Sequence, residues 1–217
     1  MDGEWAVTKA EALKLIGGLS RVTALPCPSF SISAFDCQTG SKLNAVAGSV
    51  CEGCYARRGY YHWPTVKEAH ARRLRLLRAA IASGGDEWAH AFAVCLKGVG
   101  WFRWHDSGDL QSVGHFDLIV RVCEETPATR HWLPTKEPRY VDRWIERNGP
   151  LPSNLTVRVS APMVDEVIES RHPIATVHRV KPRWKAWICP VPTDRKDCGE
   201  CRACWDRTVG VVSYPET

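Results

Sequence analysis

The chain has 217 residues, 44% of them hydrophobic and 24% charged, and a formal net charge of +5 at pH 7. That composition suits a globular protein with a sizeable core, most simply one domain with an appended segment. It excludes a membrane-spanning chain, since no apolar run nears the ~18 residues a span needs, and its modest basicity permits nucleic-acid contact without demanding it. The first residues, Met1-Asp2-Gly3-Glu4-Trp5, lack the basic-then-apolar profile of a secretory signal, so a cytoplasmic setting is expected.

Thr8 to Leu19 carries an apolar helical face of Ala12, Leu13, Leu15, Ile16 and Leu19, and Thr8 with Glu11 forms a capping-box pattern. Ser29 to Ser33 alternates weakly and reads as a first strand. A Gly- and Ser-containing loop then carries Cys37 to Ser49. Thr65 to Ser83 predicts a helix stopped by Gly84-Gly85, and Asp86 to Leu96 a second. Arg72, Arg73, Arg75 and Arg78 lie along the first of these and read as a solvated face.

Beyond them the pattern changes. Strands are predicted at 101–105, 131–134, 155–160 and 174–180, with helices at 113–124 and 139–147 and a short one at 165–169. Alternation at this spacing implies a parallel sheet with right-handed crossovers. The expected fold is α/β: a partial or small parallel barrel over residues 1–180, followed by a cysteine-rich metal-binding segment over 181–217. In such folds the chemistry sits at the carboxyl ends of the strands. The ten tryptophans read as core and rim packing, not as a stacking platform.

Cysteine is the informative residue. Ten are present, and in a reducing compartment clusters of them argue for metal or redox chemistry instead of a disulfide framework. Cys51-Glu52-Gly53-Cys54 is a C-x2-C turn, with Cys37 upstream at the far end of the loop. Three thiolates on a 4Fe–4S cube would leave one iron open, whereas ferredoxin-type carriers use four protein ligands. Zinc would accept the same cysteines with His62 as a fourth ligand. Cys27 is an alternative to Cys37, but it stands between Pro26 and Pro28. At the other end, Cys189, Cys198, Cys201 and Cys204 offer four thiolates within sixteen residues. Their consecutive x2 gaps favour a second iron–sulfur cluster over zinc, which suits four cysteines equally. Cys95 and Cys123 stand alone inside predicted helices and read as small core residues.

The predicted strand ends carry the other candidates. Asp106, Ser107, Gly108 and Asp109 follow the strand at 101–105 and lead to Ser112, which opens a helix. Gly108 allows close backbone approach and Asp109 would hold an ammonium group. Lys136 follows the next strand, where it would meet a carboxylate or phosphate, and Ser160 ends the third. Asp106 and Lys136 are the candidate catalytic side chains. Ser107, Gly108, Asp109 and Ser160 are the candidate cofactor-binding set.

The Cys51-x-x-Cys54-Tyr55-Ala56 run, with a third cysteine upstream, resembles the cluster loop of radical S-adenosylmethionine enzymes. The resemblance departs in spacing: those enzymes usually have Cys-x3-Cys-x2-Cys, and here the first gap holds thirteen residues. Ser107-Gly108-Asp109 is similar in type, not in letters, to the segment that contacts the methionine amino group there. The stretches 25–31 and 55–59, with the Asp-Ser-Gly-Asp segment and the C-terminal cysteines, also resemble a phage family called gene product 88. Together these resemblances imply a three-cysteine 4Fe–4S cluster that cleaves S-adenosylmethionine, an electron donor, and a small-molecule or nucleotide-type substrate. A phage origin would make the compartment the host cytoplasm. The rival expectations are a zinc- or cluster-stabilised nucleic-acid-binding protein, with weak non-specific binding, and an iron–sulfur redox protein without turnover.

Overall fold

The computed structural model describes residues 7–216 apart from 192, 194 and 195; the expectation drawn from Met1–Trp5 lies outside the described residues. Helix α1 spans Lys9–Ile16. Thr8 caps it: its hydroxyl accepts from the Glu11 amide, and the Glu11 carboxylate accepts from the Thr8 amide at 2.9 Å. Gly17, at φ 81°, ends it in the left-handed region. A two-residue strand β1 (Ser20–Arg21) pairs antiparallel with β2 (Pro28–Phe30).

The segment after β2 folds back as a short helix α2 (Gln38–Leu43), where the sequence predicted only loop. Two 3-10 turns (Tyr55–Arg57 and Gly59–His62) then lead to α3 (Pro64–Ala82), with proline in its first turn where no amide hydrogen is needed. Gly84 and Gly85, both at positive φ, separate it from α4 (Asp86–Leu96), whose first turn carries Asp86 and Glu87 against the helix dipole. Strand–helix alternation follows through β3 (Trp101–Trp104), α5 (Val113–Glu125), β4 (Arg130–Thr135), α6 (Pro138–Asn148) and β5 (Leu155–Ser160). The remaining strands are β6 (Ile174–His178), β7 (Trp187–Ile188) and β8 (Val211–Pro215).

The strands form one mixed sheet in the order β1-β2-β3-β4-β5-β6-β8-β7, parallel throughout except for β1. The sheet is open: β1 and β7 are its two edges and do not pair with each other. The expected α/β class with a mainly parallel sheet is observed, and the sheet does not close: helices follow β3 and β4, but among the described residues no α-helix follows β5, β6 or β7. The short helix expected at 165–169 is absent. Asp165 sits at φ 58°, and its carboxylate accepts from the amides of Arg179 (2.8 Å) and Val180 (3.3 Å), which spends the segment on a turn.

One face of the sheet packs on the helices. Phe30, Phe102, Trp104, Leu133, Leu155 and Val157 meet Ile16, Leu77, Phe92, Phe116 and Ile119 in a single core, which also takes in Cys95 and Cys123. Of the arginine face expected on α3, Arg72, Arg75 and Arg78 are exposed and only Arg73 is not. Arg73 is buried and donates to Gly18 O, Ser20 Oγ and Ser31 O, and Arg72 donates to Gly17 O, so both clamp α3 onto the start of the sheet.

Candidate functional site

Strand geometry turns alternate residues to opposite faces. In β3, Phe102 and Trp104 enter the helix core, so Trp101 and Arg103 face the other way. On that second face, at the carboxyl ends of the strands, lies a cavity of about 470 Å³. Cys37, Cys51 and Cys54 line it, as do Asp106, Ser107, Gly108, Asp109, Lys136 and Ser160. Residues expected from four separate segments thus share one space.

The cysteine loop is held by its own polar groups. Arg57 donates to Ala34 O at 3.1 Å, to Asn44 Oδ1 at 3.2 Å and to Ser41 Oγ, and Asn44 Nδ2 donates to Cys51 O at 2.6 Å. Gly40 in α2 faces the thiols: a Cβ there would lie 3.6 Å from the sulfurs of both Cys37 and Cys51. The two sulfurs are therefore no farther apart than twice that distance. Burial pushes the Cys37 thiol up to about 12; Asp109, Cys54 and Cys51 act in the same direction and Lys136 opposes them. Cys51 is raised as well, by burial first. Without a bound cation Cys37 and Cys51 rest protonated, and a metal would displace their protons.

The strand-end loop is built by its two carboxylates. Asp106 accepts from Ser29 Oγ at 2.6 Å, from Ser31 Oγ and from Tyr61 at 3.3 Å, while its carbonyl accepts from the Tyr55 hydroxyl. Asp109 Oδ1 accepts from the Leu110 amide (2.7 Å) and Thr135 Oγ1 (2.6 Å), and Oδ2 from the Lys136 amide (2.8 Å). Asp109 therefore welds the end of β3 to the end of β4, with acceptor capacity left on Oδ2. Gly108, at φ 83°, approaches Ile32: a Cβ there would lie 2.3 Å from Ile32 Cγ1 and 2.8 Å from Ile32 O, which only glycine avoids. Ser107 is buried and its hydroxyl has no hydrogen-bond partner. An orphaned hydroxyl on a cavity wall is a group left for a ligand.

The C-terminal cysteines lie under the same face of the sheet. The Cys198 amide donates to Ala24 O at 3.0 Å, the Cys201 amide to Cys198 O at 2.9 Å, and the Cys204 sulfur lies 3.1 Å from the Tyr214 hydroxyl. Buried Arg158 holds this loop, donating to the carbonyls of Ala203 (2.7 Å), Cys204 (3.0 Å), Asp206 (2.7 Å) and Val209 (2.8 Å). Burial raises Cys198, with Cys189 and Cys201 adding to it, and takes Cys204 up to about 11. Cys27 packs here with Trp132 and Trp205, against which Cys204 also lies, and not beside Cys51 and Cys54. Cys37, and not Cys27, lines the cavity with Cys51 and Cys54. His62 is exposed and its Nε2 is 2.5 Å from Arg57 O, outside the residues that line the cavity. Among the described residues no three His, Cys, Asp or Glu side chains are gathered closely enough to enclose a single metal ion.

Sequence reasoning passed over Arg57, Tyr61, Arg103 and Arg158. The signal for two of them was present: an arginine between apolar neighbours in a strand, as in Phe102-Arg103-Trp104 and Val157-Arg158-Val159, marks a cation on a covered face.

The family model for gene product 88 matches residues 4–210. The chain belongs to the gene product 88 family. That match takes in both cysteine sets and the strand-end loop. No curated protein and no solved structure matches the chain.

Proposed function

We propose that this gene product 88 protein is an iron–sulfur protein of the radical S-adenosylmethionine type, in which Cys37, Cys51 and Cys54 hold a 4Fe–4S cluster. The observation that carries this reading is that the three cysteines and the Ser107–Asp109 loop, Lys136 and Ser160 line one cavity at the strand ends. The donor types suit the group: three soft thiolates would hold a cluster and leave one iron free, and Gly40 places no side chain beside two of the sulfurs. A cluster of this kind with S-adenosylmethionine and an external electron donor supplies one-electron cleavage of the cofactor and hydrogen abstraction from a substrate.

The chain's own residues bind, orient and shield. Asp109 Oδ2 and the free Ser107 hydroxyl would receive the methionine ammonium. The Lys136 ammonium would take the carboxylate, and Ser160 a hydroxyl of the adenosine portion. Asp106, held by two serines and a tyrosine, fixes the loop that presents them. The sheet from β2 to β8 would serve as a partial barrel. Residues 181–217 would form an auxiliary cysteine-rich segment that binds a second cluster, or zinc, through Cys189, Cys198, Cys201 and Cys204. The test is anaerobic incubation of iron-loaded protein with S-adenosylmethionine and a strong reductant. 5′-Deoxyadenosine should form with the native chain and not with Cys54→Ala. Equal yields from the two would sink the reading.

A further inference from the structure

Arg103 has no place in that assignment, although it lines the same cavity. It faces away from the helix core, and its guanidinium stacks 4.6 Å over the Trp132 ring. Its Nε is shut off from solvent and has no hydrogen-bond partner. Among the described residues no carboxylate forms an ion pair with it. A guanidinium stays charged at any ordinary pH, so the chain desolvates a cation and leaves a donor unused.

The carboxylates that share the cavity are engaged elsewhere. Asp106 is taken up by Ser29, Ser31 and Tyr61, Asp109 by Leu110, Thr135 and Lys136, and Glu216 by Arg179. Asp106 lies near enough to act on Arg103 electrostatically, without forming an ion pair with it. Arg103 is also set apart from the three cysteines. Asp109 and Lys136 act on Cys37 and Cys51, whereas Arg103 acts on Cys27, Cys198 and Cys204, which lie outside the residues that line the cavity.

We propose that Arg103 is the anchor of an anion subsite, and that the substrate of this cavity is a small molecule bearing a carboxylate or phosphate, which Arg103 grips through its guanidinium while Trp132 holds the guanidinium plane. The proposal deepens the preceding reading by naming the substrate class, but it needs neither S-adenosylmethionine nor reductant to be tested. Arg fits this chemistry because its planar fork matches an oxyanion and Trp stacking fixes its orientation.

The experiment is calorimetric titration of the anaerobically purified full chain with inorganic phosphate, adenosine 5′-monophosphate, benzoate and, as an uncharged control, adenosine. At least one anionic probe should bind, and more tightly than adenosine. Arg103→Gln should weaken that binding roughly tenfold to a hundredfold, with iron and sulfide per chain unchanged. Arg103→Lys, which keeps the charge and loses the fork, should weaken it too and guards against a folding defect in the glutamine variant. Native chain that prefers no anion to adenosine would overturn the proposal, as would variants that bind like native chain. Loss of metal from the C-terminal cysteines in both variants would also overturn it, because Arg103 would then serve to balance those thiolates. Anion binding that persists while the 5′-deoxyadenosine assay fails would sink the radical reading and leave the subsite standing.

Discussion

At Gly40 a single hydrogen keeps a methyl group from the sulfurs of Cys37 and Cys51. Gly40→Ala lies within helix α2, where alanine is favoured by up to about 1 kcal/mol. The added methyl also comes 3.1 Å from Cys37 Cβ, which must give way, so the metal-free variant should melt within a few degrees of native chain while its iron content falls towards that of Cys54→Ala; iron and sulfide analysis beside a thermal melt checks both. A second expectation concerns histidine. Burial holds His105 and His131 down to about 3, and His115 is lowered by burial in the same direction, so all three are neutral in the folded chain. A depressed value means that the folded state is fully stabilised above the ordinary value of 6.5 and loses stability as pH falls from there towards 3. Each group contributes at most about 1.4 kcal/mol per pH unit in that window. Urea unfolding at pH 7 and pH 5 should show a marked drop, and His131→Gln, which cannot titrate, should show a smaller one. Identical pH dependence in the two chains would remove His131 from the explanation. The C-x2-C turns were visible in the sequence because that spacing is local, and Cys37 was favoured over Cys27 because Cys27 stands between two prolines. Gly40 was not legible, because its place depends on how α2 folds back across the cavity.

Among the elements, β5 bears the most on the C-terminal cysteines. Its Arg158 donates to four carbonyls of the loop between Ala203 and Val209, and all of them lose their donor if the side chain is shortened. Arg158→Met should cost about 3 kcal/mol or more, read as a shift in the urea midpoint, and should release metal from Cys198, Cys201 and Cys204 before the first set. An unchanged midpoint would mean that the loop is held by other contacts. The sequence located α4 and β5 to the residue, because long apolar periodicity and strict alternation survive averaging over neighbours. It missed β1 and β7, each of two residues, and also α2 and β8. Two residues carry no period, and β8 enters the sheet only through its pairing with β6 and β7. The turn at Asp165 was misread as helix because an acidic residue before an apolar stretch is also a helix-start signal.

On the scale of the whole molecule, the sheet separates two tasks: one face buries the helices, the other carries the cavity lined by Cys37, Cys51 and Cys54. The basic charge is partly spent inside, since Arg72, Arg73, Arg103 and Arg158 bond to backbone, ring or hydroxyl groups. Nucleic-acid binding should accordingly be weak, on the order of 10⁻⁴ to 10⁻⁶ M at physiological salt. It should fall with salt at a slope near 0.9 per phosphate neutralised and show no sequence preference. Titration of a random duplex at two salt concentrations checks this; nanomolar, salt-resistant binding would promote the nucleic-acid reading. The most direct test of the central claim is electron paramagnetic resonance of reduced, iron-loaded protein with and without S-adenosylmethionine. The expected result is a signal that shifts when S-adenosylmethionine is added and is missing from Cys54→Ala. A fully loaded native sample whose spectrum ignores S-adenosylmethionine would contradict the claim that Cys37, Cys51 and Cys54 hold a cluster with an open iron.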